Sequence, residues 1–409
     1  MTQPSPIFPS HSHSRPCCEE KLATAPVQVS RRAALGGLLV LGTAAWSGRT
    51  VGGTSISIPY GHRDDVPSRE TQITRAVAFL KSRQEADGGW SSRRSVGITA
   101  LAVTALLRSR RLGPADPTIV KGLARLEAAL GPNGGFEENG QANYVTSIAL
   151  MAFHQAAQAD PNPEAKTRYD ALIRRGQDFL KGIQWTEGKN KTPESDFYGG
   201  AGYRGDQSRP DLSNTAFMVE ALRETGLPAD DPALQKALIF ISRCQNQPSE
   251  FNDQPWAGKV NDGGFIYTAA NGGESKAGGD PATGLRSYAG MTYAGLKSMI
   301  HAGLDRDDPR VQGALRYIRN HYTLDENPGL GQVGLYYYYH TFAKAMSLLG
   351  EPRFTDAQGV EHDWKAELNA ALGRRQNPDG SWVNPADRFM EGDPNLVTSY
   401  GLLALAYTG

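Results

Sequence analysis

Two kinds of apolar pattern alternate along residues 69–409. One is a stripe with the i, i+3, i+4, i+7 spacing of a helix that buries a single face, as in residues 69–84. The other is apolar or small almost all round, as in residues 95–109, and predicts a helix that is buried on every side. One striped helix, a short turn and one buried helix therefore form a unit.

This unit repeats six times and predicts twelve helices, with no strand of useful length. The striped helices are expected at 69–84, 117–130, 165–184, 231–246, 308–322 and 362–376, and their buried partners at 95–109, 142–157, 210–225, 283–302, 334–349 and 393–408. We expect an all-α (α/α)6 barrel, or toroid, with two concentric layers and the buried helices inside. An open superhelical stack is the alternative, but the last unit has no polar capping helix of the kind a solenoid end needs.

A glycine-rich turn that ends in an aromatic residue joins the two helices of a unit. The clearest copy runs from Gln376 to Trp382 (QNPDGSW), and Gln84 to Trp90 has the same frame. Asp-Gly and Gly-Gly favour positive φ and so reverse the chain after a helix at low steric cost. Sugar binding by the two tryptophans is an alternative, but a structural role is favoured because every unit has a copy.

The Gln-x-x-Asp-Gly-Ser-Trp repeat between helices resembles that of the terpenoid cyclase and protein prenyltransferase superfamily. The resemblance covers residues 69–409. Squalene–hopene cyclases carry two such barrels in a longer chain, whereas protein prenyltransferase β subunits carry one, as here. The resemblance implies a central cavity that is lined by the amino-terminal ends of the inner helices and accepts long isoprenoid chains.

The third buried helix begins with a sequence similar to the Asp-x-Asp-Asp-Thr-Ala box of squalene–hopene cyclases, whose middle aspartic acid protonates an alkene. Here the box reads Asp211, Leu212, Ser213, Asn214, Thr215, Ala216. A serine hydroxyl cannot protonate an alkene, which needs an unusually strong carboxylic acid, so cyclisation by this mechanism is not expected. Asp211 remains a candidate catalytic residue, and its alternative role is to cap the helix.

The zinc ligands that the prenyltransferase resemblance implies are incomplete. Arg286 and Tyr288 stand where the β subunits place an Asp-x-Cys pair, and His340 stands in the region of the zinc histidine. One histidine without its aspartate and cysteine is a poor zinc site, so we expect no metal and no cofactor. His340 is a candidate catalytic residue or a histidine that is hydrogen-bonded at the cavity wall.

Aromatic and polar residues at the starts of the buried helices are expected to contact the ligand. Tyr336, Tyr339 and His340 share one helix face, and Arg286 either clamps a carboxylate or phosphate or neutralises Asp211. The candidate ligand-binding residues are Asn214, Arg286, Tyr288, Tyr336, Tyr339 and Tyr400.

Composition narrows the function classes. Hydrophobic residues make up 39% and charged residues 21%, an ordinary globular balance, and 43 basic residues match 43 acidic ones. There is no basic excess to suggest nucleic acid. Two of the three cysteines, Cys17 and Cys18, lie near the start, so Cys244 alone cannot form a disulfide framework.

The first sixty residues are expected to be a disordered leader rather than part of the barrel, which would occupy residues 61–409. Arg31 and Arg32 precede an apolar run from Leu35 to Trp46, the layout of a twin-arginine export signal. A tail with a chance arginine pair is one alternative. A membrane anchor is another, but the run is shorter than the ~20 residues needed to span a bilayer.

The hypothesis is an exported, extracytoplasmic one-barrel toroid that binds a hydrophobic, isoprenoid-like small molecule, with catalysis left open. A secreted carbohydrate-active barrel is the alternative, because Asp280, Glu391 and Asp393 precede buried helices. Glycoside hydrolysis needs two carboxylates roughly 5–10 Å apart, although Asp280 and Asp393 precede proline and are typical turn or cap residues. A non-catalytic binding or scaffold barrel is the third possibility. The oligomeric state is not predicted.

Overall fold

The computed structural model describes residues 66–136, 140–204 and 208–409, and the predicted leader lies outside them. The outer helices are α1 (Arg69–Ser82), α3 (Pro117–Ala129), α5 (Pro163–Ile183), α7 (Pro232–Arg243), α10 (Pro309–Asn320) and α12 (Trp364–Arg375). The inner helices are α2 (Val96–Arg108), α4 (Ala142–Ala159), α6 (Leu212–Glu224), α9 (Ala289–His301), α11 (Leu335–Leu349) and α13 (Pro394–Ala406).

Three small elements interrupt the loops between these helices. A one-turn helix, α8 (Ala257–Val260), and an antiparallel hairpin, β1 (Gly279–Asp280) with β2 (Gly284–Leu285), lie between α7 and α9. A second hairpin pairs β3 (Phe354–Thr355) with β4 (Glu361–His362) ahead of α12. The long loop before α9 is therefore folded rather than irregular.

The six inner helices form a closed ring. Each packs against the next in the order α2, α4, α6, α9, α11, α13, and α13 packs back against α2. The outer helices lie against this ring, and α1 contacts both α12 and α13. The predicted (α/α)6 barrel is confirmed, and an open stack does not fit because the last unit contacts the first.

Local sequence explains where the outer helices begin. Four of them start with an Asp-Pro or Asn-Pro pair, in which the first side chain accepts a hydrogen bond from the helix and proline occupies the first turn. Proline suits this position because its missing N–H would have no helical partner there. The N-cap residues are Asp116, Asn162, Asp231 and Asp308.

In four of the six units, a glutamine at the end of the outer helix fastens the turn to the next outer helix. Its side-chain amide donates one hydrogen bond within its own turn and a second to a carbonyl in the first turn of that neighbour. The pairs are Gln84 with Thr118, Gln184 with Ala233, Gln245 with Arg310 and Gln376 with Gln72. The last pair joins the sixth unit to the first and so closes the outer layer.

The aromatic residues of the turns are structural. Trp90 and Trp382 are fully buried, and their indole nitrogens donate to the carbonyls of Leu80 and Leu372 at 2.7 and 2.9 Å. Sugar binding by these tryptophans is therefore excluded. The backbone N–H groups of four turn aromatics donate to a threonine of the following inner helix, as in Trp90 to Thr99, Phe136 to Thr146, Phe265 to Thr292 and Trp382 to Thr398.

Gly380 shows why the turns need glycine. Its φ is +91°, and a Cβ atom there would overlap the carbonyl oxygen of Arg75 in α1. The turn thus approaches the backbone of the next outer helix more closely than any other residue would allow. Gly88, Gly134, Gly199 and Gly263 meet α3, α5, α7 and α10 in the same way.

Within the part of the chain that the structure describes, no helix is both long enough and apolar enough to cross a membrane.

We expect Gly380→Ala to destabilise the barrel by roughly 2–4 kcal/mol, since it adds backbone overlap to the cost of positive φ. Gly350→Ala is the matched control, because Gly350 also has a positive φ, +72°, with open space around its Cβ position. The control should cost only about 1–2 kcal/mol. Urea denaturation of both variants measures the difference. Equal losses would contradict the close approach as the reason for glycine.

Candidate functional site

A cavity opens at the amino-terminal ends of the inner helices. Its volume is about 620 Å³, within the range of roughly 300–1,000 Å³ that is typical of small-molecule sites. All six inner helices, together with the loops that precede them, contribute to its wall. Because the closed ring surrounds it, the cavity is a central pit rather than a groove across the surface.

Much of the wall is aliphatic. Leu101 and Ile148 lie one turn inside α2 and α4, and Met291 and Leu396 come from the first turns of α9 and α13. Inner helices that are buried on all sides leave such side chains on the axis of the barrel as well as between the layers. The interior of the pit can therefore accept apolar surface.

Six tyrosines complete the wall. Every inner helix except α2 has at least one of them, either on the helix or in the loop before it: Tyr144, Tyr203, Tyr267, Tyr288, Tyr337 and Tyr400. Their rings also contact each other; the centroids of Tyr144 and Tyr203 are 5.4 Å apart, and those of Tyr337 and Tyr400 are 6.1 Å apart. Tyrosine faces bind both hydrocarbon and positive charge. The wall thus combines large apolar area with hydroxyl groups.

Asp211 is the N-cap of α6 and also faces the cavity. Its Oδ1 accepts the backbone N–H of Asn214 at 2.9 Å, and its Oδ2 accepts the Asn214 side-chain amide at 2.8 Å. Burial raises the pKa of Asp211 to about 6, although hydrogen bonds from Asn214 and Tyr267 oppose this shift. Asp211 therefore caps the helix and also lines the cavity, and its candidate catalytic role stays a prediction.

Ser213 occupies the middle position of the box and links two tyrosines. Its hydroxyl is hydrogen-bonded to the Tyr144 hydroxyl and lies 3.2 Å from that of Tyr337. Burial raises the pKa of both tyrosines, so their hydroxyls stay protonated and can donate. This chain of three hydroxyls is a polar strip on one side of the pit.

Positive side chains lie at the mouth of the cavity. Arg209 and Lys276 both pair with Glu274, and the Lys276 ammonium lies 4.3 Å from the centre of the Tyr267 ring. Arg388 is a third cation on the wall and lies over the ring of Phe389, which is 40% exposed. The mouth can therefore attract a negatively polarised end of a ligand.

The structure brings three of the predicted residues, Asp211, Tyr288 and Tyr400, to the cavity wall. Asn214 and His340 lie behind it. Asn214 is fully buried against Asp211, and His340 is stacked on Tyr400 with ring centroids 5.6 Å apart. Burial lowers the pKa of His340 to about 3, so the imidazole is neutral in the folded protein.

Tyr336, Tyr339 and Arg286 do not line the cavity, so their placement in the prediction was wrong. Tyr336 and Tyr339 are buried and pack edge to face, and the Tyr339 hydroxyl donates to the carbonyl of Leu324 at 2.6 Å. The start of α11 is rotated so that Tyr337 faces the axis instead. Arg286 follows the β1–β2 hairpin and its side chain is exposed.

The three carboxylates of the carbohydrate hypothesis are not on the wall either. Asp280 is exposed in β1, and Asp393 caps α13 through its Oδ1. Glu391 is fully buried and accepts hydrogen bonds from the Tyr337 backbone N–H and the Asn384 amide at 2.7 and 2.6 Å. Each of the two buried carboxylates satisfies the start of an inner helix.

A buried ionic cluster below the cavity was missed from the sequence. Glu220 of α6 pairs with both Lys297 of α9 and Lys344 of α11, and all three are almost completely buried. Lys344 also pairs with Glu224, which accepts from Arg108 of α2 at 2.7 Å. The signal that could have found this cluster is charged residues inside helices that are otherwise apolar all round.

Opposite charges fix the protonation of this cluster. Against the effect of burial, the neighbouring cations lower the pKa of Glu220 well below its usual value and that of Glu224 to about 2. Although burial opposes it, the carboxylates of Glu220 and Glu224 raise the pKa of Lys344 above its usual value. Burial lowers the pKa of Lys297. Both carboxylates are therefore ionised, and the cluster forms the polar floor of the barrel.

Among the residues of the three described stretches, no group of three or more His, Cys, Asp or Glu side chains is arranged to hold a metal ion.

No protein-family model matches the sequence, and no curated protein matches it. A GH76 α-mannanase of Bacteroides thetaiotaomicron matches in structure at a TM-score of 0.50, with 10% identity over 84% of this chain and 97% of that one. The type II terpene cyclase MstE of Scytonema, bound to geranylgeranyl dihydroxybenzoate, matches at 0.48 with 14% identity over 83% and 96%. A protein from Actinoplanes matches at 0.46 with 18% identity over 83% and 98%.

The match to the α-mannanase, at a TM-score of 0.50, supports the fold that the helices show. The chain is an α/α toroid, the architecture that the repeat predicted, and an identity of 10% carries nothing about substrate.

Asp211→Asn should change the pH dependence of stability. The folded-state pKa of Asp211, about 6, lies above the ordinary value of 3.8 for an aspartic acid, so wild-type stability falls as pH rises between these values. The variant lacks this loss. Its free energy of unfolding relative to wild type should therefore rise from pH 4 to pH 6 by up to ~3 kcal/mol.

Asp116→Asn is the matched control, because Asp116 caps α3 and its pKa is lowered. Its carboxylate contributes stability that is present above the unfolded pKa and is lost as pH falls through the lowered folded-state pKa. From pH 4 to pH 6 the free energy of unfolding of this variant relative to wild type should therefore stay nearly constant or fall slightly, and it should not rise. Urea denaturation across this range distinguishes the two slopes. The same slope in both variants would show that the cavity does not raise the pKa of Asp211.

Proposed function

We propose that the protein binds an elongated, mostly apolar molecule of the isoprenoid class in the central cavity. The observation that carries this proposal is the pit itself, whose wall joins six tyrosines to aliphatic side chains from four inner helices. An apolar chain would lie along these faces, and its polar end would lie near Asp211, the Ser213 strip and the cations at the mouth. Burial of apolar surface supplies the affinity, and the polar strip supplies the orientation.

The chemistry of Asp211 argues for binding rather than for cyclisation by alkene protonation. A carboxylic acid with a pKa of about 6 is a weaker acid than an ordinary aspartic acid, because burial penalises its ionised form. Alkene protonation needs the opposite shift. The position that would hold a stronger acid is occupied by Ser213, which is engaged with two tyrosine hydroxyls.

The site also fits sugar cleavage poorly. Glycoside hydrolysis uses two carboxylates that face the same bond. Among the described residues of the cavity wall, Asp211 is the only carboxylate, and Glu391 and Asp393 are committed to helix starts. A carbohydrate-active barrel therefore stays the second candidate.

Geranylgeraniol is the probe we would use first. We expect it to raise the melting temperature of the wild-type protein, and we expect Leu101→Trp to weaken its binding about tenfold or more, because the larger ring fills the deeper part of the pit. Val120→Trp, on the exposed face of α3, adds the same side chain outside the cavity and should bind normally. Thermal shift and calorimetric titration give the comparison.

Two results would overturn the proposal. One is the absence of any thermal shift with geranylgeraniol or farnesol together with no terpenoid in lipid extracts of the purified protein. The other is equal binding by Leu101→Trp and Val120→Trp. Release of new reducing ends from a panel of polysaccharides would favour the carbohydrate alternative instead.

We also propose that the protein is exported by a twin-arginine-type signal, which the spacing of Arg31, Arg32 and the following apolar run supports. Replacing both residues in Arg31→Lys/Arg32→Lys keeps the positive charge and should retain the protein in the cytoplasm. Replacement of Arg93 and Arg94 by lysine is the control and should leave export unchanged. Fractionation of the expressing cells measures the location, and export of the first double variant would refute the signal.

A further inference from the structure

A second cavity lies at the opposite end of the barrel. Its volume is about 720 Å³. The carboxyl-terminal ends of α2, α4 and α13 and the first turn of α1 form its wall. The central pit opens at the amino-terminal ends of the same inner helices, so the two cavities are separated by the length of the ring and its buried ionic cluster.

Four arginines line this second cavity: Arg69, Arg108, Arg110 and Arg111. Glu70 is the only acidic side chain among the described residues of its wall, and it is shared between Arg69 and Arg111. Arg110, which has a φ of +57°, forms no side-chain hydrogen bond or ion pair with any described residue. Arg69 also donates to the carbonyl of Leu405, and Arg108 donates to the Tyr407 hydroxyl. The wall nevertheless has more guanidinium charge than its one carboxylate can neutralise.

Arg108 connects the cavity to the interior. Its guanidinium donates to Glu224, which belongs to the buried cluster with Glu220, Lys297 and Lys344. That cluster has two carboxylates for three cations, so it cannot neutralise the arginines of the cavity. With Glu70 counted as well, the charged side chains of the cavity and the cluster include three more cations than anions.

Helix ends do not remove this excess. The carboxyl ends of three helices each carry about half a negative elementary charge, and the amino end of α1 carries about half a positive one. Their combined effect is about one negative charge, which is smaller than the excess of cations. Arg110 and Arg111 are exposed, whereas Arg69 and Arg108 are partly buried, and a partly buried positive charge is stabilised by a counter-ion.

We propose that this arginine cavity binds a phosphate-bearing anion. Guanidinium groups present paired N–H donors that match the oxygens of phosphate, and a multiply charged anion would satisfy several of them at once. The side-chain amides of Gln155 and Gln158 lie on the same wall and offer further donors. A bound anion would contact Arg108 and hence the cluster that forms the floor of the barrel.

This inference is independent of the isoprenoid proposal, since it uses none of the residues that line the central pit. The bound anion is either a free phosphate compound or the head group of an anionic lipid. Both present the same chemistry to the arginines, so the experiment must separate them.

Calorimetric titration of the full-length protein with inorganic pyrophosphate, at constant ionic strength, tests the site. We expect one binding event per chain, weakened about tenfold or more in Arg110→Gln/Arg111→Gln. Arg174→Gln/Arg374→Gln removes the same charge from exposed positions of α5 and α12 and should bind as the wild type does. If the first double variant does not fold, Arg110→Gln alone replaces it, because that side chain has no described partner.

Sedimentation with phosphatidylcholine vesicles, with and without phosphatidic acid, distinguishes the sources. Pyrophosphate binding without vesicle binding supports a soluble ligand, and vesicle binding that pyrophosphate displaces supports a lipid head group. The proposal is overturned if neither probe binds, or if the two double variants bind pyrophosphate equally.

Discussion

The barrel depends on how closely each turn can approach the next outer helix. A glycine of positive φ brings the turn against the backbone of that helix, and a glutamine amide then spans the gap with two hydrogen bonds. Neither contact involves an apolar side chain, yet together they set the spacing at which the apolar stripes of the outer helices meet the ring. The contact between Gly380 and Arg75 is one of those that join the sixth unit to the first and close the ring.

Closure creates an interior with two different ends. The same inner helices place their amino-terminal ends around an aromatic pit and their carboxyl-terminal ends around an arginine-lined cavity. Between them lie the buried ion pairs of Glu220 and the buried ring of His340. The buried ion pairs are weak evidence for added stability, since their desolvation offsets much of their attraction. These ion pairs lie between the aromatic pit and the arginine-lined cavity.

The sequence predicted the fold well because the information is repeated and local. Striped and fully apolar helices differ in periodicity, and the turn chemistry marks each junction, so all twelve predicted helices are present. The lining of the cavity was harder to predict. Helix α11 carries four consecutive tyrosines, and periodicity does not tell which of them faces the axis when every side of the helix is buried. A rotation of about one residue exchanges Tyr337 for Tyr336. Arg286 was misplaced because the hairpin before α9 was not foreseen.

The hydrogen bond between Gln376 and Gln72 joins residues 304 positions apart in the chain. In an open array of repeats, each unit needs only its neighbours, and folding can begin anywhere and spread. Here the first outer helix lacks one of its neighbours until the sixth unit has been synthesised. This closing contact therefore has a very large sequence separation, and such contacts slow folding because the chain entropy must be lost before they form. A ring of this kind gains its last stabilising joint only when the final helix pair has folded.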